Sequence, residues 1–200
     1  MKKKFLNTSM NLIKKDNKYN EEQLEIIAYG LEAIYLTFTK MVVIFLIAYA
    51  LGIFKEILLL LVTYNIIRSQ AFGIHASKSI YCLISSLIMF VGGALVCKFF
   101  TLPFELIISL AVICNICLLL YAPADTHKRP LVNKKKRKRF KFLSSLFGII
   151  YTILIIIFKD SSIVNYLLFG MIEAVIMILP ITYKTFKLPY NNYKTYNCGV

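Results

Sequence analysis

The sequence predicts an all-α membrane protein: a bundle of about six transmembrane helices preceded by an N-terminal amphipathic helix. Three observations support this prediction. Of the 200 residues 58% are hydrophobic, the mean hydropathy is +0.69, and only 17% are charged. A soluble domain is about 45–50% apolar and about 25% charged. A chain this apolar cannot cover itself with polar surface in water, so it needs lipid around it. We expect one membrane domain over residues 1–200.

Six apolar stretches supply the predicted spans: 25–51, 55–67, 79–99, 104–121, 142–158 and 163–182. A helix that crosses a bilayer needs about 20 residues, with about 17 as a short limit. The stretch 55–67 therefore needs its flanks to complete it. Glu32 and Lys40 lie in the first stretch, where contact with lipid is costly, so we expect them to face protein, to pair, or to lie near an interface.

Positive charge sets the predicted orientation. With six spans and the N-terminus inside, the regions 1–24, 68–78, 122–141 and 183–200 hold 20 of the 24 lysines and arginines. Cytoplasmic loops carry this excess, so both termini are predicted to be cytoplasmic. Region 1–24 is predicted to be an amphipathic segment on an anionic lipid surface, with a solvated basic tail as the alternative. Region 122–141 is predicted to be a basic cytoplasmic loop.

The net charge of +14 favours anionic lipid as a partner rather than nucleic acid, because the chain is so apolar. Five cysteines, an odd number, argue against a disulfide framework. Only two histidines are present, which argues against a four-ligand zinc site, and no metal or cofactor is expected. The pair Cys114 and Cys117 lies in an apolar stretch and is interpreted as packing rather than as a redox motif.

Segment 68–82 is where the sequence points to chemistry; it reads RSQAFGIHASKSIYC. A free thiol has a pKa of about 8.5, so a cysteine nucleophile needs help to become a thiolate. An imidazole can take the thiol proton and later give it to a leaving amine. His75 and Cys82 are therefore candidates for a base and a nucleophile. The alternative is that His75 is an interface residue and Cys82 a small hydrophobe.

Spacing limits how these two residues can meet. On one straight helix they are about 10 Å apart along the axis, so contact requires His75 to lie off the helix. Gly73 allows the chain to fold back there. Ser77 or Ser79 can cap the next helix; if Ser79 does, Cys82 lies in the first turn, where the helix dipole favours a thiolate.

The run from Arg68 through Gly73 and His75-Ala76 to Cys82 resembles the signature of the accessory gene regulator B family, the membrane peptidases of bacterial quorum sensing. The later run Ala122-Pro123-Ala124-Asp125, followed by Arg129-Pro130-Leu131 and many lysines and arginines, is similar to the family's cytoplasmic loop. One departure is Phe72-Gly73, where the family often has two glycines. It leaves the backbone conformation at residue 72 open.

The resemblance implies a cysteine endopeptidase in the bacterial cell membrane, with its active site on the cytoplasmic side. Cys82 is then the nucleophile and His75 its base, with Arg68 and Gly73 as supporting residues. The implied substrate is a short propeptide with an acidic C-terminal tail. The enzyme removes the tail and holds the rest as a thioester, which an internal Cys or Ser attacks to give a cyclic thiolactone or lactone. The resemblance also implies homodimers.

Two questions stay open at this level. The basic run serves either the positive-inside rule or docking of the acidic tail; the candidate docking residues are Lys134, Lys135, Lys136 and Arg137. A third catalytic residue cannot be chosen among Glu32, Asp125 and Glu173. The alternative functions are a small peptide or solute transporter and a non-catalytic scaffold, although no internal repeat favours a transporter.

Overall fold

The computed structural model describes residues 2–14, 19–74, 79–126 and 130–196. The chain forms two compact units, Met1–Leu51 and Gly52–Val200. Both are built of helices, so the all-α prediction is confirmed. The grouping of 1–200 into one peptidase domain stays a prediction.

The first unit contains helices α1 (Lys2–Lys14) and α2 (Glu21–Ala50). Asn20 caps α2: its side chain accepts from the Gln23 amide at 2.8 Å, and the Gln23 side chain accepts from the Asn20 amide at 3.1 Å. This reciprocal pair satisfies two of the free N–H groups at the helix start. The predicted N-terminal helix is therefore present as α1, and its position on a lipid surface stays a prediction.

The second unit contains the remaining elements. They are α3 (Phe54–Ala71), α4 (Ser79–Leu87), a π-helix (Ile88–Gly92), α5 (Gly93–Phe99), α6 (Phe104–Tyr121), α7 (Lys134–Ile157), α8 (Ile163–Ile176), α9 (Pro180–Thr185) and α10 (Tyr193–Tyr196). The short stretch 55–67 is completed on both sides into the 18 residues of α3, as its length required.

Among the residues that the structure describes, four helices are long and apolar enough to cross a membrane: α2, the continuous run Ile80–Phe99, α6 and α7. Helix α8 is apolar but shorter. Large apolar side chains on α6 and α7 are exposed on the protein surface, among them Leu119, Leu120, Ile153 and Ile157. An apolar surface of this kind is matched by hydrocarbon and not by water. The chain is a helical membrane protein.

Helix α3 packs closely on α8 at Gly170. A Cβ atom at this position would lie 2.9 Å from the backbone nitrogen of Tyr64, so only glycine allows the two backbones to approach. The Thr63 hydroxyl donates to the Tyr166 carbonyl at 3.1 Å, and Tyr151 on α7 donates to the Thr63 carbonyl at 2.9 Å. Small residues and interhelical hydrogen bonds hold helices together in lipid, where the hydrophobic effect between helices is absent.

Two segments differ from the sequence interpretation. The sequence predicts a loop over 122–141, but the basic run 134–141 forms the first two turns of α7. Asn133 caps this helix, and Lys and Arg are good helix formers. The stretch 163–182 is interrupted after Ile176, because Pro180 has no N–H and cannot continue the helix.

Candidate active site

Helix α3 ends where the candidate motif begins. The Phe72 amide still bonds to the Arg68 carbonyl at 3.0 Å, and the chain then leaves the helix. Phe72 has φ 58° and Gly73 has φ 105°, both in the region that glycine favours. The prediction that Gly73 takes an unusual conformation is confirmed. The conformation of Phe72 also explains why a glycine fits at this position.

The ends of three helices meet at residues 71–74. The Ala124 amide, in the turn after α6, donates to the Ala71 carbonyl at 2.9 Å, and the Gly73 amide donates to the Ala124 carbonyl at 2.7 Å. The Ile74 amide donates to the carbonyl of Met177, just after α8, at 3.1 Å. The backbone that leads to residue 75 is therefore held on two sides by other parts of the chain.

The break after α8 makes the Met177 carbonyl available. Because Pro180 lacks an N–H, the Ile176 carbonyl cannot have its usual helical partner there. The Thr182 hydroxyl donates to it at 2.6 Å instead. The following Met177 carbonyl then turns toward Ile74. A proline that interrupts a hydrophobic stretch thus supplies an anchor for the motif.

Asp125 organises the turn after α6. Its side chain is buried, with 3% exposed, and accepts from the amides of Asn192 at 3.0 Å, Tyr193 at 2.7 Å and Leu131 at 3.3 Å. Its carbonyl accepts from the Tyr183 hydroxyl at 2.9 Å. Both carboxylate oxygens are used by backbone donors, so Asp125 has a structural role here, and nothing assigns it to proton transfer.

Arg68 reaches over the motif from the last turn of α3. Its Nη2 donates to the Ile74 carbonyl, and its Nη1 lies where a Cβ on residue 73 would be. Met177 closes the same space from the other side. Arg68 therefore fixes the segment 72–74 and requires glycine at position 73. The supporting role of both residues in catalysis stays a prediction.

Cys82 is the fourth residue of α4 and is half-buried. Its carbonyl accepts from the hydroxyls of Ser86 at 2.7 Å and Ser85 at 3.1 Å. The Tyr64 phenol on α3 lies within electrostatic range of Cys82, Arg68 and Glu173. Two motif residues, Arg68 and Cys82, therefore both lie near Tyr64.

His75 and Ser77 lie outside the described residues, so the predicted contact between His75 and Cys82 stays a prediction. What the structure describes is the backbone on both sides of residues 75–78. Ile74, just before them, is anchored to Met177, and α4, just after them, carries Cys82. The non-helical segment required for contact is present at residues 72–74.

The remaining candidate residues differ in their exposure to solvent. Glu173 is buried in α8, and its Oε1 lies 2.8 Å from where a Cβ of Gly93 would be. Lys134, Lys135 and Lys136 are exposed in the first turn of α7. Arg137 lies over the ring of Tyr193, with its Cζ 3.6 Å from the ring centroid.

Sequence reasoning missed Tyr64, Met177 and Tyr183. Tyr64 could have been found, because it precedes Arg68 by four residues and so shares its helix face. Met177 acts through its backbone carbonyl and leaves no signal in its side chain. Tyr183 is buried and donates to the carbonyls of Ala124 and Asp125, contacts that join segments far apart in the sequence.

The chain is similar to known proteins over most of its length. The family model described as accessory gene regulator B matches residues 6–179, a range that includes both motif segments. The chain belongs to the accessory gene regulator B family. The hydrogen bonds between segment 71–73 and Ala124 therefore join two parts of the chain that both lie within the family match.

Similar members come from several bacteria. A putative AgrB-like protein of Clostridium acetobutylicum is 36% identical over 164 residues, which is 82% of this chain and 78% of the relative. One of Listeria innocua is 32% identical and covers 92% of this chain and 91% of its own. The accessory gene regulator protein B of Staphylococcus aureus strain Newman is 31% identical over 84% of this chain and 88% of its own. No solved structure matches.

Proposed function

We propose that this chain is a membrane cysteine endopeptidase that processes a short quorum-sensing propeptide. It removes the C-terminal tail and forms a thioester that leads to a cyclic thiolactone or lactone. Family membership over residues 6–179 supports a role in accessory gene regulation. The observation that carries the chemical proposal is local: Cys82 lies in the first turns of α4, and the backbone at residues 71–74, which precedes that helix in the sequence, is held by bonds to two other parts of the chain.

Cys82 is the nucleophile in this proposal and His75 is its base. The Cys82 sulfur bonds to the carbonyl carbon of the scissile peptide bond, and His75 takes the thiol proton. The C–N bond then breaks, and His75 gives the proton to the amine of the leaving tail. An internal thiol or hydroxyl of the peptide attacks the thioester carbonyl, and Cys82 leaves as the thiol.

The supporting residues act on the position of the base. Arg68 and Met177 hold Ile74, the residue directly before His75. A catalytic group that is held in place avoids the entropic cost of finding its geometry. A thioester also keeps the acyl group activated, so ring closure does not start from a free carboxylate. Exclusion of water from the site favours ring closure over hydrolysis.

We also propose that the site and both termini face the cytoplasm, in an anionic bilayer, and that the chain forms homodimers. The supporting observation for orientation is the concentration of positive charge near α1 and at the start of α7. Cationic residues in the first turn of a helix are unfavourable to its dipole. Lys134, Lys135 and Lys136 are thus placed where they cost helix stability, which favours a role in orientation or binding.

The proposal is tested by co-expressing the chain with a candidate precursor, a short peptide that has an internal Cys or Ser and an acidic C-terminal tail, and following the precursor by mass spectrometry. Wild type is expected to remove the tail, and Cys82→Ala and His75→Ala are expected to leave it intact. Cys117→Ala is the matched control, because Cys117 is a half-buried thiol on α6 that packs against the core. All variants are checked for membrane insertion. Cleavage by Cys82→Ala at the wild-type rate would favour a transporter or scaffold instead.

A further inference from the structure

A cationic pocket lies against the turn after α6. Its volume is about 350 Å³, and its lining includes Tyr121, Pro123, Arg137, Lys141, Tyr190 and Tyr193. We call it the Arg137 pocket. Pro123 directly precedes Ala124, which bonds to Gly73. The pocket and the motif segment therefore both contact the turn after α6.

Two cations face this pocket from α7. Arg137 and Lys141 are four residues apart, so they share one helix face. No acidic side chain is among the described residues that line the pocket. Asp125 is close in sequence to Pro123, but its carboxylate is directed at backbone amides of Leu131, Asn192 and Tyr193. The pocket is thus positive, and an anion there would relieve the repulsion between the two cations.

The guanidinium of Arg137 is already oriented. It lies over the Tyr193 ring at 3.6 Å, a cation–π contact, and the Tyr193 amide is fixed to Asp125 at 2.7 Å. Its Nη1 is buried and has no hydrogen-bond partner among the residues that the structure describes. A buried donor without an acceptor is unfavourable, and more so when it is charged. A bound acceptor would remove this cost.

The chemistry of the pocket selects an oxyanion. The planar fork of a guanidinium matches the two oxygens of a carboxylate, and a phosphate offers similar oxygens. Burial raises the pKa of Tyr190, so its hydroxyl stays a neutral donor. The volume suits a side chain or two rather than a large ligand.

The position of the pocket decides between the two oxyanions. Phe140, on the same turns of α7 as Arg137 and Lys141, packs edge-on against Phe72 with ring centroids 4.9 Å apart. A ligand held by Arg137 is therefore close to the motif segment, where the proposed peptide substrate binds. We propose that the Arg137 pocket binds a carboxylate side chain of the substrate peptide. This rests on the proposed function. Of the predicted docking residues it keeps Arg137, and it adds Lys141.

Binding can be measured without catalysis. The full chain carrying Cys82→Ala is placed in phosphatidylcholine nanodiscs, and fluorescence anisotropy follows a labelled hexaglutamate peptide against a hexaglutamine peptide. Hexaglutamate is expected to bind more tightly, and Arg137→Gln is expected to weaken it about tenfold or more. Lys141→Gln, at an exposed and therefore tolerant position, is expected to weaken it by a smaller factor. Arg139→Gln is the matched control, since Arg139 is exposed and does not line the pocket.

Three results would overturn the inference. Equal binding of the two peptides would exclude carboxylate recognition. Equal weakening by Arg139→Gln, Arg137→Gln and Lys141→Gln would show diffuse attraction without a site. A third result would identify a lipid phosphate as the ligand. In this case phosphatidylglycerol nanodiscs abolish hexaglutamate binding to the chain with Arg137 intact, and Arg137→Gln binds phosphatidylglycerol more weakly. Because Cys82 is absent from every sample, none of these results depends on peptidase activity.

Discussion

The amide of Gly73 donates a hydrogen bond to the carbonyl of Ala124 at 2.7 Å, and this contact joins the two sequence segments that resemble the family. The Ala124 amide completes the pair by donating to the Ala71 carbonyl at 2.9 Å. The turn after α6 is thus part of the support for the site, although it carries no candidate nucleophile. Changes in this turn are therefore expected to affect the reaction.

Gly73→Ala is expected to reduce propeptide processing at least about tenfold. The new Cβ would meet Arg68 Nη1 and the Met177 carbonyl, and φ 105° is costly for alanine by about 1–2 kcal/mol. Gly52→Ala is the matched control: Gly52 also has positive φ, 64°, but nothing lies within 4 Å of its Cβ position. Processing is measured by mass spectrometry at equal protein levels. Similar losses in both variants would mean that backbone conformation alone matters.

Asp125→Asn is expected to lower stability by about 2–4 kcal/mol, because the charged acceptor of three backbone amides is lost. An amide side chain keeps one acceptor oxygen and turns N–H donors toward the other amides. Asp160→Asn removes the same charge from an exposed turn and is expected to change stability little. Thermal unfolding in detergent measures both. Equal melting temperatures for the two variants would contradict the role of Asp125.

Phe72→Gly is expected to be more stable than Phe72→Ala. Both variants lose the ring contact with Phe140, but only glycine removes the strain of φ 58°. The expected difference in unfolding free energy is about 1–2 kcal/mol in favour of glycine. Thermal unfolding of the two variants side by side gives the answer. If alanine is as stable as glycine, residue 72 does not hold the strained conformation.

The buried phenol of Tyr183 is expected to make the folded state less stable at alkaline pH. Burial raises the pKa of Tyr183 above its usual value near 10, so the folded state holds the proton more tightly than the unfolded state. Its contribution is complete below about pH 10 and is lost as the pH rises through the folded value. Tyr183→Phe is expected to have a lower melting temperature than wild type at pH 8, because two hydrogen bonds are lost. Its melting temperature is expected to fall less than that of wild type between pH 9 and pH 11. Tyr19→Phe, at an exposed site, is expected to follow wild type.

Much of the fold followed from local patterns in the sequence. The apolar stretches located the long helices, and the short stretch 55–67 correctly required its flanks to complete a helix. The unusual conformation at Gly73 was also predictable, because few other residues adopt it. These features depend on neighbours in the sequence, and so a single sequence contains them.

Other features depend on contacts that sequence spacing does not encode. The Met177 carbonyl receives Ile74 only because α8 breaks before Pro180 and lies beside the end of α3. Asp125 looked like a candidate acid, and only its three amide partners show a structural role. The start of α7 was missed because a run of lysines and arginines looks like a solvated loop, although Asn133 caps it as a helix.

The most direct test of the central claim is to trap the acyl enzyme. The full chain is incubated with its precursor, denatured in acid and examined by intact-protein mass spectrometry, with and without hydroxylamine, which cleaves thioesters. We expect an adduct with the mass of the precursor without its tail, less one water. It should map to Cys82, be released by hydroxylamine and be absent in Cys82→Ala. Cys117→Ala keeps the adduct. An adduct on another cysteine, or tail removal by Cys82→Ala, would contradict the account.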